Sequence, residues 1–136
     1  MANNELGQGN SYDLSKLHEV QDQKQLFVKF ENPHQDMDYV ITNTIQEFTA
    51  VCPVTGQPDF GVITIETIPD KWCIELKSLK MYMMSYRNRG IFHEAVTGKI
   101  AKDIIATIEP RWLKITGDFT VRGGIKTMVV FEHRAK

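Results

Sequence analysis

Apolar residues recur along this 136-residue chain in two periods, and each change of period marks a new element. Residues 39–49 are rich in Val, Ile and Thr, which predicts a strand. Over 61–68, Ile63 and Ile65 alternate with Thr64 and Glu66, predicting a second. The period then lengthens. Leu79, Tyr82, Met83 and Tyr86 follow the i, i+3, i+4, i+7 rule of a helix, with Gly90 as its stop. Phe92, Val96, Ile100, Ile104 and Ile108 step by four along a second helix, closed by Glu109-Pro110. Alternation returns where Leu113, Ile115, Gly117, Phe119 and Val121 interleave with Lys114, Thr116, Asp118 and Thr120. Arg122-Gly123-Gly124 reads as a turn, and 125–133 as the returning strand. A shorter strand is predicted over 25–30, ended by Asn32-Pro33. The main order, ββααββ, predicts an α+β fold: an antiparallel four-stranded sheet with two helices on one face. The outer strands of so small a sheet need cover, and self-association is one way to supply it.

Composition narrows the class. Hydrophobic content of 42% and charged content of 24% fit one globular domain, expected over 26–136 behind a polar leader or arm over 1–25. No apolar stretch approaches the roughly 20 residues of a membrane span, and MANNELGQGNSYDLSK lacks the basic start and apolar run of a secretory signal. A formal charge of −1 offers no electrostatic footprint for nucleic acid. Cys52 and Cys73 form neither a zinc pair nor a disulfide framework, so a reducing, cytoplasmic setting is expected. Cys52, Cys73 and His93 lie about 20 residues apart, a spacing that matches no structural-zinc pattern, and no metal is expected.

Four segments carry candidate chemistry. ELKSLKMYMMSYRN places Lys77 and Lys80 in the opening turns of a helix, where cations oppose the dipole unless an anion is close. They are either two solvated lysines or, with free N–H groups at the helix start, a seat for phosphate. The loop FTAVCPVTGQPDFG, longer than a tight hairpin needs, holds Cys52 and Asp59 on a segment stiffened by Pro53 and Pro58. This reads as a packing cysteine with a turn aspartate, or as a nucleophile with a proton-handling carboxyl group. Glu94, beside His93, either favours the dipole of the second helix or accepts two parallel N–H bonds from a guanine-like edge. Arg122-Gly123-Gly124 is a hairpin turn or a phosphate clamp.

FTAVCPVTGQPDF, ELKSLK-x-Y, FHE before a helix, and PRW followed by FTVRGG occur together in this order. Over about residues 38–124 the chain resembles the 7-cyano-7-deazaguanine reductases, nitrile reductases of queuosine biosynthesis, in their short single-domain form. The resemblance implies the tunnelling fold (T-fold), ring-type homo-oligomers with active sites between subunits, and a small deazaguanine substrate. It implies that Cys52 attacks the nitrile to form a thioimide, that Asp59 shuttles protons, and that NADPH reduces the adduct. Ile74, Glu75, Leu76, His93 and Glu94 would bind the base; Leu76, Lys77, Lys80, Arg122 and Gly123 would contact NADPH. Leu76 stands where many members carry serine. Three other readings share the fold: a transferase that adds ammonia to the same nitrile, a zinc cyclohydrolase, and a ring protein that binds purine without catalysis. The lysine motif, the missing metal-ligand set and the Cys52–Asp59 pair weigh against them in turn. With no G-x-G-x-x-G in the chain, NADPH would be held outside a Rossmann crevice.

Overall fold

Four antiparallel strands form the main sheet in the order β3-β4-β6-β7, and the helices α1 and α2 cover one face of it. The computed structural model describes residues 4–5 and 14–136. The elements are β1 (Asn4–Glu5), β2 (Val28–Glu31), β3 (Ile41–Val51), β4 (Pro58–Ile68), β5 (Trp72–Ile74), α1 (Leu76–Met84), α2 (His93–Ile108), β6 (Trp112–Arg122) and β7 (Ile125–Arg134). The expected α+β order is present, with β3, β4, α1, α2, β6 and β7 as its six members.

Alternation decides which face is covered. Ile63, Ile65, Leu113, Ile115 and Phe119 are at most 3% exposed and pack against Val96, Ile100 and Ile104 of α2. Their neighbours Thr64, Glu66, Lys114 and Thr116 point to the other side and stay half-buried. Each core isoleucine or leucine contributes about 2 kcal/mol by leaving water. The helix pair is pinned by a polar cluster as well: Tyr82 Oη donates to Asp103 Oδ2 at 2.7 Å, and Lys99 reaches the same oxygen at 2.6 Å.

The structure corrects several sequence expectations. A second sheet, β1-β2-β5, lies beside the first, and its β5 has only three residues, too short to show a period. The strand expected over 25–30 begins at Val28, because Gln23–Leu26 winds into a 3-10 turn. The expected leader is no loose arm from residue 14 onward. Leu17 and Gln23 are 2% and 1% exposed, Gln23 Nε2 donates to Ser85 Oγ at 2.6 Å, and the Arg89 guanidinium donates to the Val20 carbonyl. The rest of that leader, apart from β1, lies outside the described residues. The long loop between the main strands shrinks to 52–57, since β3 runs to Val51 and β4 starts at Pro58. Among the described residues no helix is long and apolar enough to cross a membrane.

Gly117 is a packing requirement. A Cβ there would lie 2.7 Å from the Phe119 ring and 2.7 Å from Thr97 Oγ1, which is itself tied to the His93 carbonyl. Gly117→Ala is therefore expected to lower unfolding free energy by about 1–3 kcal/mol through overpacking. Chemical denaturation checks this, and an unchanged midpoint would contradict it.

Candidate active site

Cys52 is the first residue after β3, and the chain turns at once: Cys52 N donates to Gln57 O at 2.8 Å, and Gly56 N donates to Cys52 O at 2.9 Å. Gly56 takes φ 73°, which a residue with a side chain rarely adopts. Inside this turn Gln57 N donates to Thr55 Oγ1 at 3.2 Å, leaving the hydroxyl proton for another acceptor. The Thr55 side chain hydrogen-bonds the Cys52 thiol and draws it below its ordinary value. The N–H groups of Thr55 and Val54 act the same way, while desolvation and the Asp59 charge oppose them.

Asp59 sits in β4 opposite Ala50 and is 8% exposed. Arg122 Nη2 lies 2.8 Å from Asp59 Oδ1, and His93 Nε2 lies 3.7 Å from Asp59 Oδ2. Arg122 also donates to Gln57 Oε1 at 2.6 Å and to the Pro58 carbonyl. Its reach comes from the β6–β7 hairpin. Gly123 and Gly124 both have positive φ, as a two-residue turn of this hand requires, and a register shift follows Phe119. The His93 ring stacks flat on Phe119, centroids 3.9 Å apart and planes at 1°. Glu94, in the first turn of α2, is exposed and has no side-chain partner among the described residues.

Cys52, Asp59, His93, Glu94, Arg122 and Gly123 thus gather at one end of the sheet. Backbone bonds seat α2 there: Val51 N donates to Arg89 O at 2.9 Å and Ile91 N donates to Val51 O at 3.0 Å. Ile74, Glu75, Leu76, Lys77 and Lys80 do not join them. They surround the start of α1, whose nine residues span about 13 Å before the chain returns to Val51.

At that second place a groove of about 680 Å³ runs between α1 and the edge strand β3. Lys77, Lys80 and Arg87 line it along one side, and none has an ion-pair partner among the described residues. The dipole conflict expected at these lysines is met within the chain. Glu75 caps α1, its carboxylate accepting from Lys77 N and Ser78 N at 2.8 Å each. Those two N–H groups are therefore taken, and a ligand phosphate would meet lysine and arginine side chains instead. Three unpaired cations beside an open groove fit the phosphates of a dinucleotide.

The QueF-like protein family model matches residues 58–136. The NADPH-dependent 7-cyano-7-deazaguanine reductase of Nitrosomonas europaea is 59% identical over 107 residues, covering 79% of this chain and 77% of its own. That of Alkalilimnicola ehrlichii is 53% identical over 105 residues, covering 77% and 81%. The chain belongs to the QueF-like protein family. A crystal structure of the archaeosine synthase QueF-Like in the apo form overlays with a TM-score of 0.64 at 25% identity, over 68% of this chain and 91% of that one. This QueF-like chain shares that fold.

Three residues at the two places escaped the sequence reading. Arg87 lies seven positions beyond Lys80, a helical repeat that would have flagged it. Phe119 reads as ordinary core, and Thr55 as ordinary turn. Cys73 is 3% exposed, and burial pushes its thiol up. At neutral pH Cys52 is expected to alkylate faster than Cys73 by roughly tenfold or more, since thiolate is the reactive form. Peptide-resolved mass spectrometry reads this directly, and equal labelling would contradict it.

Proposed function

We propose that this chain reduces the nitrile of 7-cyano-7-deazaguanine to the primary amine with NADPH, the step its relatives' names describe, within queuosine biosynthesis. The observation that carries the reading is a single one. A cysteine with a depressed thiol sits at the sheet end beside a buried aspartate, in a chain 59% identical to a reductase of that name.

Cys52 is the nucleophile. Asp59 takes the thiol proton, the sulfur adds to the nitrile carbon to form a C–S bond, and the nitrogen receives that proton from Asp59 to give a thioimide. A nitrile accepts hydride poorly, whereas the polarised C=N of the adduct is a better acceptor. NADPH, when bound, supplies two hydrides. Nitrogen gains two protons over the whole reduction, and Asp59 is the acid at hand. Glu94, unpaired in the chain, is suited to accept both N–H bonds of the base's guanidine-like edge. His93, flattened on Phe119, is held where it meets both the base and Asp59. Lys77, Lys80 and Arg87 hold the dinucleotide phosphates from the groove side, and Arg122 and Gly123 bring the hairpin tip to the same cofactor. An amidine-forming reaction would give that basic row no role.

The site is built from two copies. Glu75 and Leu76 open α1, whose nine residues span about 13 Å, while the Cys52 end is bonded to the segment that follows that helix. A second copy whose groove faces the Cys52 end would complete the pocket, and both β3 and β7 are long edges open for head-to-tail pairing.

In an assay of reduced-nicotinamide absorbance, about two NADPH are expected to be consumed per base, because nitrile to amine takes two hydrides. Cys52→Ala is expected to abolish the covalent adduct seen by intact-mass spectrometry while base binding persists; an adduct on the variant would refute the assignment. The two-copy site has its own check. Cys52→Ala and Lys77→Glu proteins, each inactive alone, are expected to regain activity when refolded together, since about a quarter of interfaces then carry both intact halves. Failure of the mixture to recover would place the whole site within one chain.

A further inference from the structure

Arg122 is heavily engaged within the chain itself. Its Nη2 lies 2.8 Å from Asp59 Oδ1, its Nη1 donates to Gln57 Oε1 at 2.6 Å, and Nη2 also donates to the Pro58 carbonyl. Residues 57, 58 and 59 thus share one guanidinium. They join the turn that opens at Cys52 to the strand that carries Asp59. Gln57 O accepts from Cys52 N at 2.8 Å, and Asp59 pairs with Ala50 in the β3–β4 ladder. A guanidinium is planar and its N–H groups point in fixed directions, so holding several acceptors at once fixes their mutual placement. Arg122 is itself seated by the hairpin, paired with Ile125 across Gly123-Gly124, both at positive φ.

We infer that Arg122 is a positioning residue for the thiol chemistry: it clamps the Asp59 carboxylate to the turn that carries Cys52. The inference rests on Cys52 being the nucleophile and adds to the cofactor contact assigned to Arg122 above.

The two carboxylate oxygens are not equivalent. Oδ1 is taken by Arg122, whereas Oδ2 faces His93 Nε2 at 3.7 Å, beyond hydrogen-bond reach. Oδ2 is therefore the oxygen open to a proton. The Cys52 S–H proton passes to Oδ2, the S–C bond forms as one π pair of the nitrile moves to nitrogen, and nitrogen takes the proton from Oδ2. The net change is addition of S–H across the triple bond, with no outside electrons, and the carboxylate ends as it began. Arg122 exchanges no proton. A carboxylate turns easily about its last torsion, and proton transfer needs heavy atoms within about 2.6–3.2 Å. Anchoring one oxygen removes that freedom and leaves the other for the chemistry. A residue that only touched the cofactor would matter only once NADPH is bound. Adduct formation consumes no NADPH, so it separates the two roles.

The test mixes the protein with 7-cyano-7-deazaguanine in the absence of NADPH and follows the adduct over time by intact-mass spectrometry, at a series of base concentrations. Arg122 sits at a hairpin tip with its side chain 40% exposed, so Arg122→Met leaves the core intact. Its rate constant at saturating base is expected to fall by roughly ten- to a hundredfold, the cost of a misplaced proton acceptor. The half-saturating base concentration is expected to stay in place, because Glu94 and His93 hold the base. Gln57→Leu, at an exposed position, removes one acceptor but neither charge, and is expected to give a smaller loss in the same direction. Arg122→Lys keeps the charge on a single nitrogen and is expected to recover only part of the rate. Adduct formation by Arg122→Met at the parent rate would overturn the inference. So would a base affinity that falls as far as the rate, or full recovery with Arg122→Lys, which would assign the effect to charge alone. A parent protein that forms no adduct is a different result: it removes Cys52 as nucleophile, and the role of Arg122 with it.

Discussion

Val51 exchanges two backbone hydrogen bonds with the segment between the helices, accepting from Ile91 and donating to Arg89, and the assembly of the Cys52 end depends on that exchange. It fixes the end of β3 against the start of α2, so that Cys52, one residue on, and His93, two residues beyond Ile91, are carried to the same end of the sheet. A Cβ at Gly90 would rest 3.4 Å from the Cα of Pro53, ordinary contact, so it is the two backbone bonds that hold the approach. Backbone bonds are indifferent to side-chain substitution, which suits a joint that must hold a reactive group in register. The β6–β7 hairpin then arrives from the other side through Arg122. Three segments remote in sequence converge, each anchored by the sheet or by a bond to its edge.

Electrostatics divides the molecule although its formal charge is only −1. At the Cys52 end the buried carboxylate of Asp59 is compensated locally by Arg122 and faced by His93. At the start of α1 three cations lack ion-pair partners among the described residues; of the two carboxylates lining the groove, Glu75 is committed to the helix cap and Glu47 lies on β3. An excess of unpaired positive charge along an open groove cannot be read as stabilising the fold, because exposed pairs contribute little and exposed like charges oppose it. It is better understood as affinity held in reserve for a polyanion.

The parts of this arrangement that show in the sequence are those with a period or a fixed turn chemistry. β4 and β6 alternate, α2 steps by four, and Gly123-Gly124 announces a hairpin; each is present where expected. Cys52, Asp59, His93 and Arg122 stand out through motif strings, yet nothing in their spacing states that they meet, since Val51 and the β6 register shift do that work in three dimensions. What stayed hidden is short or borrowed. β5 has three residues, and the 3-10 turns over 14–26 owe their burial to Leu17 and Leu26 meeting helices more than fifty residues away. The cap of Glu75 was missed for another reason: glutamate is an uncommon cap, so the lysines beside it looked uncompensated.

That the two groups of site residues lie apart in one chain follows from the length of α1 and would hold for any member with the same helix. Shortening the helix would bring Glu75 towards Cys52 but would strip Tyr82 and Met83 from the core, both at most 5% exposed. The core thus fixes the length of α1 between Glu75 and the segment that returns to Val51. The proposed self-association would relieve two constraints together. It would cover edge strands whose free N–H and C=O groups otherwise invite uncontrolled pairing, and it would lay the basic groove of one copy against the thiol end of the next. Head-to-tail contacts of this kind either close into a ring or propagate as filaments. A chain that uses the contact to finish its own pocket gains from closure, because only a ring leaves no half-site unfilled.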